Sequence, residues 1–178
     1  MVGAAMVAIG FASNPAAAVD GIALQGGVGA GASSGSGMEM VRAALQWDWQ
    51  RRWLEGKNWH LGGFWQADAG YWRRNALPGE NGDLFEIGFT PVFRLQQNSL
   101  KGAYLQGGIG LAYLSRTSLG NKLYGSHLQF ASQIGVGYRF EANQGFDAGF
   151  IYQHVSNAGL KQPNEGANFY ELSLQYHF

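Results

Sequence analysis

Three things are scarce in this sequence, and each scarcity excludes a class of protein. There is no cysteine, which excludes disulfide bonds and thiolate metal sites. Charged residues make up only 13% of the chain, and twelve basic groups balance twelve acidic ones, so no basic surface for nucleic acid is expected. No apolar run reaches the roughly 20 residues of a transmembrane helix. The longest, at the N-terminus, covers only residues 1–12.

The N-terminal apolar run has the composition of an export signal. A breaker, Asn14-Pro15, follows it, and then the small residues Ala16 to Ala18, which match an A-x-A cleavage pattern. We therefore expect a signal peptide at 1–18 and a single mature domain at 19–178. No Lys or Arg precedes the apolar run, so the true start of the signal stays open. The alternative is an apolar tail.

Alternation of apolar and polar residues is the dominant pattern in the chain. Hydrophobic residues make up 46% of the sequence, yet the mean hydropathy is only −0.15, because polar residues interleave with them. Successive side chains of a strand face opposite sides, so alternation indicates strands with one apolar face. The pattern recurs in eight segments, at 21–32, 41–49, 59–71, 85–96, 102–114, 127–140, 145–156 and 170–178.

The character of the two faces separates a membrane barrel from a soluble one. The less apolar face is rich in Gly, Ala and Gln, and it carries charges that a narrow lumen would hold as a packed network: Arg42, Asp48, Glu86, Arg94, Arg139 and Glu171. Aromatic residues near the segment ends fit interfacial girdles: Trp47, Trp49, Trp59, Tyr71, Tyr113 and Tyr138. The final strand ends on Phe178, which resembles the signal that outer-membrane barrels present to their assembly machinery. These features predict an all-β protein, an eight-stranded antiparallel transmembrane β-barrel in the bacterial outer membrane.

The connections set the orientation of this barrel. Periplasmic turns are short and extracellular loops are longer in such proteins. Counting from the start of the mature chain, the outside loops fall near 33–37, 73–83, 115–127 and 157–167. The periplasmic turns fall near 51–57, 96–101 and 141–145, and apart from the tight first one the outside loops are the longer set.

A candidate catalytic pair lies at the extracellular end of the seventh strand. His154 and Ser156 continue its apolar face and are two residues apart, or about 6.5–7 Å at Cα, within reach of a hydrogen bond. A hydroxyl becomes a useful nucleophile when an adjacent base takes its proton, and histidine is the usual base. On the antiparallel eighth strand, Asn168 has the parity to face the same side and to orient the imidazole. The alternative is a polar barrel rim without chemistry.

The loop after the pair, from Asn157 to Ala167, offers donors for an oxyanion. It is crowded with Asn, Gly and Pro, and amide side chains and free backbone N–H groups beside a serine suit an oxyanion hole. The alternative is that these residues only form a turn.

The run from His154 to Asn164, followed by Gly166, resembles the signature of the PagL-type lipid A 3-O-deacylases, which are eight-stranded outer-membrane serine hydrolases. The resemblance extends more loosely to 45–49, 91–93 and the glycine-rich fifth strand. It implies removal of the ester-linked acyl chain at the 3-position of lipid A in the outer leaflet, with His154 as base and Ser156 as nucleophile. It also implies oxyanion or substrate binding in the following loop, at Asn157, Ala158, Gly159 and Asn164.

One position departs from the family pattern. The family carries Glu at the acid position, and counting along the motif puts Asn168 there. Asn can orient an imidazole, but it has no charge to stabilise an imidazolium. Glu165, in the loop, is the alternative orienter, whereas Glu171 has the parity of the lumen. We expect Asn168 to serve, with activity reduced or altered.

Two other functions stay open: a non-catalytic barrel with an adhesion or structural role, and an acyltransferase that passes the acyl group to an alcohol. No metal or other cofactor is expected, because His60, His127 and His177 are scattered. The expected partners are lipid A within lipopolysaccharide, outer-membrane lipids and the barrel-assembly machinery. A homodimer is left open.

Overall fold

The computed structural model describes residues 18–31 and 37–178, and it confirms the predicted eight-stranded barrel. The barrel strands are β1 (Gly21–Gly29), β2 (Met38–Asp48), β3 (Trp59–Arg74), β4 (Asp83–Gln97), β5 (Gly102–Leu114), β8 (Leu128–Arg139), β9 (Gly145–Ser156) and β10 (Ala167–His177). They close in the order β1-β10-β9-β8-β5-β4-β3-β2, with every pair antiparallel. A short hairpin, β6 (Ser118–Leu119) and β7 (Lys122–Leu123), lies in the connection between β5 and β8.

The predicted signal peptide lies outside the described residues except for Ala18, so its assignment stays a prediction. Within the described part of the chain, no helix has the length and apolar character needed to span a membrane.

Large apolar side chains point outward around the whole wall. Their exposure is between 62% and 71% at Phe85, Ile87, Ile109, Ile134 and Leu172, which lie on four different strands. A soluble barrel would bury such residues, whereas the wall of a membrane barrel presents them to lipid. The predicted assignment of the two faces is therefore correct.

A polar network fills the middle of the lumen. Arg42 on β2 forms ion pairs with Asp68 at 3.3 Å, Glu86 at 2.9 Å and Glu171 at 3.3 Å, and all four side chains are at most 5% exposed. Since three carboxylates from three strands meet one guanidinium, these contacts join opposite walls of the barrel. A second cluster nearer the chain termini joins Arg94, Asp147 and His177. Asp48 is exposed and lines the periplasmic mouth.

The extracellular third of the lumen is apolar. Its core includes Met38, Trp72, Tyr124, Val155 and Phe169, each no more than 1% exposed. The ring of Trp72 contacts those of Phe169 and Tyr124, with centroids 4.7 Å and 6.3 Å apart. Val155 and Phe169 belong to β9 and β10, so this plug supports the two strands from inside at the height of the predicted catalytic residues.

The connections differ from the predicted lengths in one respect. The periplasmic turn between β2 and β3 has ten residues, 49–58, whereas the extracellular connection between β3 and β4 has only eight, 75–82. The expectation that outside loops are longer is wrong here. The reason is that β3 and β4, with 16 and 15 residues, continue past the predicted strand ends on the extracellular side.

Candidate active site

Strands β9 and β10 bring the three predicted catalytic residues together. His154 pairs across the ladder with Asn168, and Ser156 follows His154 on the same outward face. On the other side of β9, Ser156 pairs with Phe130 of β8, which is exposed to lipid. All three side chains of the candidate triad are half-buried, so they lie on the lipid-facing wall at its extracellular end.

The three side chains form one hydrogen-bonded chain. Nε2 of His154 lies 2.9 Å from Oγ of Ser156, and Nδ1 lies 2.6 Å from Oδ1 of Asn168. An amide oxygen only accepts, so this orientation puts the ring proton on Nδ1. Nε2 is then left as an acceptor for the Ser156 hydroxyl. The arrangement matches the nucleophile, base and orienter of a serine hydrolase.

Asn157 holds the following loop in place from inside. Its side chain is 2% exposed; Nδ2 donates to the carbonyls of Tyr124 at 2.9 Å and Lys161 at 2.6 Å. Its Oδ1 accepts the N–H of Gly159 at 2.9 Å, and its own N–H donates to Oδ1 of Asn164 at 3.0 Å. Every polar atom of the Asn157 side chain is thus engaged within the protein. The side chain acts as a scaffold.

Two of the predicted oxyanion donors keep their hydrogens available. Among the residues the structure describes, neither the N–H of Ala158 nor Nδ2 of Asn164 makes a hydrogen bond. Ala158 adopts φ 53°, a left-handed conformation that is uncommon for a residue with a side chain. It directly follows the scaffold residue and lies two residues after Ser156. The N–H of Gly159, in contrast, is occupied by Asn157.

Gly166 stands directly behind the candidate base. It has φ 61°, and a Cβ at this position would lie 3.3 Å from Cε1 of His154 and 3.1 Å from the Val155 carbonyl. A side chain would be strained in this backbone conformation and would press on the imidazole, so the position favours glycine. Gly166 therefore fixes how far back the ring can sit.

Glu165, the alternative orienter, makes a different contact. Its carboxylate accepts the N–H of Leu123 at 2.6 Å, while its own N–H donates to the Leu123 carbonyl at 3.2 Å. This two-way bond fastens the loop to the β6–β7 hairpin. Burial lowers the pKa of the neighbouring Lys122 ammonium, and the Glu165 carboxylate opposes that shift.

The hairpin that receives Glu165 was not predicted from the sequence. Its two strands are joined by Gly120 and Asn121, and Gly120 has φ 56°. A Gly-Asn pair between short segments is a known signal for a tight hairpin, so a signal was present in the sequence. The main-chain carbonyl of Tyr124, next to the hairpin, is the acceptor for Asn157.

The remaining histidines lie away from this site. His60 and His177 are buried in the lumen, as their parity predicted, and His127 stacks on Tyr113. No group of three His, Asp or Glu side chains in the described part of the chain is arranged to hold a metal ion.

Comparison with known proteins identifies the family of this chain. The family model for lipid A 3-O-deacylase (PagL) matches residues 39–177. The lipid A deacylase PagL of Pseudomonas aeruginosa is 38% identical over 144 residues, which cover 80% of this chain and 79% of that protein. The lipid A deacylase PagL of Bordetella bronchiseptica is 31% identical over 151 residues, covering 81% and 80%.

A solved structure is also similar. The crystal structure of the outer membrane enzyme PagL matches with a TM-score of 0.75 and 32% identity, and the match covers 89% of this chain and 99% of that one. The barrel, the extracellular site and these matches lead to one assignment. The chain belongs to the PagL family of lipid A 3-O-deacylases.

Proposed function

We propose that this chain is a lipid A 3-O-deacylase of the bacterial outer membrane, with Ser156 as nucleophile, His154 as base and Asn168 as orienter. One observation carries the proposal: the hydrogen-bonded chain of these three side chains on the lipid-facing wall. Family membership makes the protein an ester-hydrolysing enzyme, and the site supplies the residues that perform the chemistry.

In the first half of the reaction, Oγ of Ser156 attacks the carbonyl carbon of the 3-O ester. Nε2 of His154 takes the hydroxyl proton, and the carbonyl oxygen becomes an oxyanion. The free N–H of Ala158 and Nδ2 of Asn164 support the proposal of a two-donor oxyanion hole. Ala158 lies two residues after Ser156, the Asn164 amide is bonded to the N–H of Asn157 next to Ser156, and neither donor is otherwise bonded.

Collapse of this intermediate breaks the ester bond to the sugar. The proton on Nε2 passes to the departing 3-hydroxyl of the glucosamine, and the acyl chain stays on Ser156. Water then attacks the acyl-enzyme while His154 takes its proton; the acyl–Oγ bond breaks, the proton passes from Nε2 to Oγ of Ser156, and the free 3-hydroxy fatty acid leaves. Every step uses only groups of this protein, the ester substrate and water.

The position of the site in the bilayer supports lipid A as the substrate. Lipid A lies in the outer leaflet, with its ester links near the headgroup boundary. Polar side chains on a lipid-facing wall are costly and by default indicate function. Ser156 faces lipid at the extracellular end of β9, so the ester reaches it laterally, without extraction into the lumen, which the apolar plug fills.

We also propose that β10 carries the signal for the barrel-assembly machinery during biogenesis. Its outward residues alternate up to Phe178, which is 57% exposed. The N–H of Phe178 donates to the Asp20 carbonyl at 3.0 Å, which leaves the aromatic ring at the barrel end.

The nucleophile is tested by labelling with a fluorophosphonate, which reacts covalently with activated serines. The folded barrel in detergent should be labelled on one peptide, and mapping should place the adduct on Ser156. His154→Ala should abolish labelling, because the hydroxyl loses its base, while heat-modifiable gel migration shows that the barrel stays folded. Labelling that persists in His154→Ala, or that maps to another serine, would contradict the assignment.

A further inference from the structure

The tryptophans are concentrated in one sector of the barrel. Five of the six lie on the periplasmic end of the β2–β3 hairpin, and the sixth, Trp72, is buried in the lumen. The five are Trp47, Trp49, Trp53, Trp59 and Trp65. Tryptophan rings prefer the headgroup level of a bilayer. The periplasmic edge of this one sector therefore differs from the rest of the girdle.

The connection between β2 and β3, residues 49–58, is a built structure, and we call it the tryptophan turn. Trp53 and Leu61 exchange two backbone hydrogen bonds of 2.7 and 2.8 Å. The ring of Trp49 packs on those of Trp53, Trp65 and Phe93 at centroid distances of 4.9 to 5.7 Å. These contacts hold the turn against the outer wall of the barrel.

The neighbouring turn of the barrel fixes the tip of the tryptophan turn. Nδ2 of Asn98 donates to the carbonyls of Gly56 and Lys57, at 3.0 and 3.2 Å. Leu54, in the same turn, has a positive φ and is 79% exposed at this tip. A leucine held outward beside tryptophans is suited to enter the apolar side of the membrane interface.

The same turn displays basic side chains without acidic partners. Arg51, Arg52 and Lys57 are exposed, and none of them forms an ion pair with any described residue. Arg51 lies over the ring of Trp53, 5.8 Å from its centroid. Glu55 is the single acid of the turn, so its net charge is positive. The guanidinium of Arg51 thus lies at the same level of the membrane interface as the ring of Trp53.

At the extracellular end, the half-buried Arg74 and the exposed Lys161 form no ion pair with a described residue, but the two exposed arginines there do. Arg73 pairs with Glu39, and Arg116 pairs with Asp83, so their charges are compensated within the protein. Unpaired cations beside interfacial aromatics occur where the membrane itself supplies the anions. Three unpaired cations within ten residues, beside interfacial tryptophans, favour a lipid partner for the tryptophan turn.

We propose that the tryptophan turn binds the phosphate headgroups of anionic phospholipids in the periplasmic leaflet. Arg51, Arg52 and Lys57 contact the phosphates, while the tryptophans and Leu54 fill the space between headgroups and acyl chains. The site lies at the opposite end of the barrel from Ser156 and is independent of the proposed catalysis. By anchoring the periplasmic end of the barrel in the membrane, this binding sets the depth at which the extracellular end lies.

Binding is tested by fluorescence quenching, because the tryptophans report on lipid contact. The folded protein in neutral detergent micelles is titrated with brominated phosphatidylglycerol and, separately, with brominated phosphatidylcholine. The anionic lipid should quench at much lower concentration. Each basic residue near an anionic surface contributes about a five-fold preference for anionic lipid. In the triple variant Arg51→Gln/Arg52→Gln/Lys57→Gln, the preference for phosphatidylglycerol over phosphatidylcholine should therefore fall on the order of 100-fold at low salt.

A matched variant neutralises three cations at the other end, Arg73→Gln/Arg116→Gln/Lys161→Gln, and should keep the preference of the wild type. Heat-modifiable migration verifies that both variants are folded. Equal quenching by the two lipids in the wild type, or an equal loss in both variants, would overturn the proposal. The readout involves no turnover, so either result leaves the proposed deacylase untouched.

Discussion

The amide oxygen of Asn168 lies 2.6 Å from Nδ1 of His154, across a directly opposed pair of β10 and β9. This contact holds the imidazole in the tautomer whose Nε2 faces Ser156. It does so without a negative charge, at the position where the family resemblance implies Glu. The base is therefore oriented as in a catalytic triad, while the imidazolium formed during the reaction lacks a charged partner.

Asn168→Asp is expected to raise kcat. The side chain keeps its size and its acceptor, and it gains a charge that strengthens the bond to the imidazolium. A hydrogen bond to a charged group contributes roughly 1 kcal/mol more than a neutral one, which corresponds to about five-fold in rate. Asn168→Leu, which removes the acceptor, should lower kcat on the order of 100-fold. Initial rates of deacylation measure both, and equal rates in wild type and Asn168→Leu would show that Asn168 orients nothing.

Gly166→Ala is expected to displace the base. The new Cβ would stand 3.3 Å from the His154 ring on a backbone with φ 61°. A small misplacement of a catalytic group lowers rates substantially, so kcat should fall by about 10- to 100-fold. Gly79→Ala is the matched control, since Gly79 has φ 91° but nothing lies within 4 Å of its Cβ position. If both variants lose activity equally, backbone strain rather than contact with His154 is responsible.

Substitutions at Glu165 separate a positioning role from a charge role. The carboxylate accepts the Leu123 N–H at 2.6 Å, and the residue lies between Asn164 and Gly166. Glu165→Ala should lower kcat by about ten-fold, since one charged hydrogen bond is lost, whereas Glu165→Gln keeps an acceptor and should retain most activity. KM should change little in both variants, because the loop positions the oxyanion donors, which act on the charge that develops in the transition state. Equal losses for Gln and Ala would instead indicate that the charge acts on His154.

The lumen network should control barrel stability. Arg42→Met leaves Asp68, Glu86 and Glu171 buried together without their cation. Breaking a buried pair by removing one partner costs about 3–5 kcal/mol, so the folded band in gels should disappear at a clearly lower temperature. Arg73→Met breaks only the exposed pair with Glu39 and should cost about 0–1 kcal/mol. A similar melting temperature for both variants would mean that the network contributes little.

Much of the barrel could be predicted because strands have a period of two. Every second residue shares a face, so a run such as 85–96 separates an apolar face from a polar one, and the composition of the polar face over all the strands then identifies the lipid side. The same parity placed Glu171 in the lumen, and it brought His154, Ser156 and Asn168 to one face before any contact was known.

The loops could not be predicted in this way, because their conformation depends on tertiary contacts. Asn157 has several hydrogen-bonding atoms, and only the position of the Tyr124 carbonyl decides that its side chain serves as a scaffold. Glu165 was a candidate orienter of His154 in the sequence, and its carboxylate instead meets the β6–β7 hairpin, which was not predicted. The apolar plug around Trp72 was missed because β3 continues beyond the predicted strand end at 71.

The most direct test of the central claim is mass spectrometry of lipid A after incubation with the purified, folded protein, wild type beside Ser156→Ala. The account predicts loss of the mass of one 3-hydroxyacyl chain with the wild type and unchanged lipid A with the variant. Unchanged lipid A with both proteins, or deacylation by the variant, would contradict it.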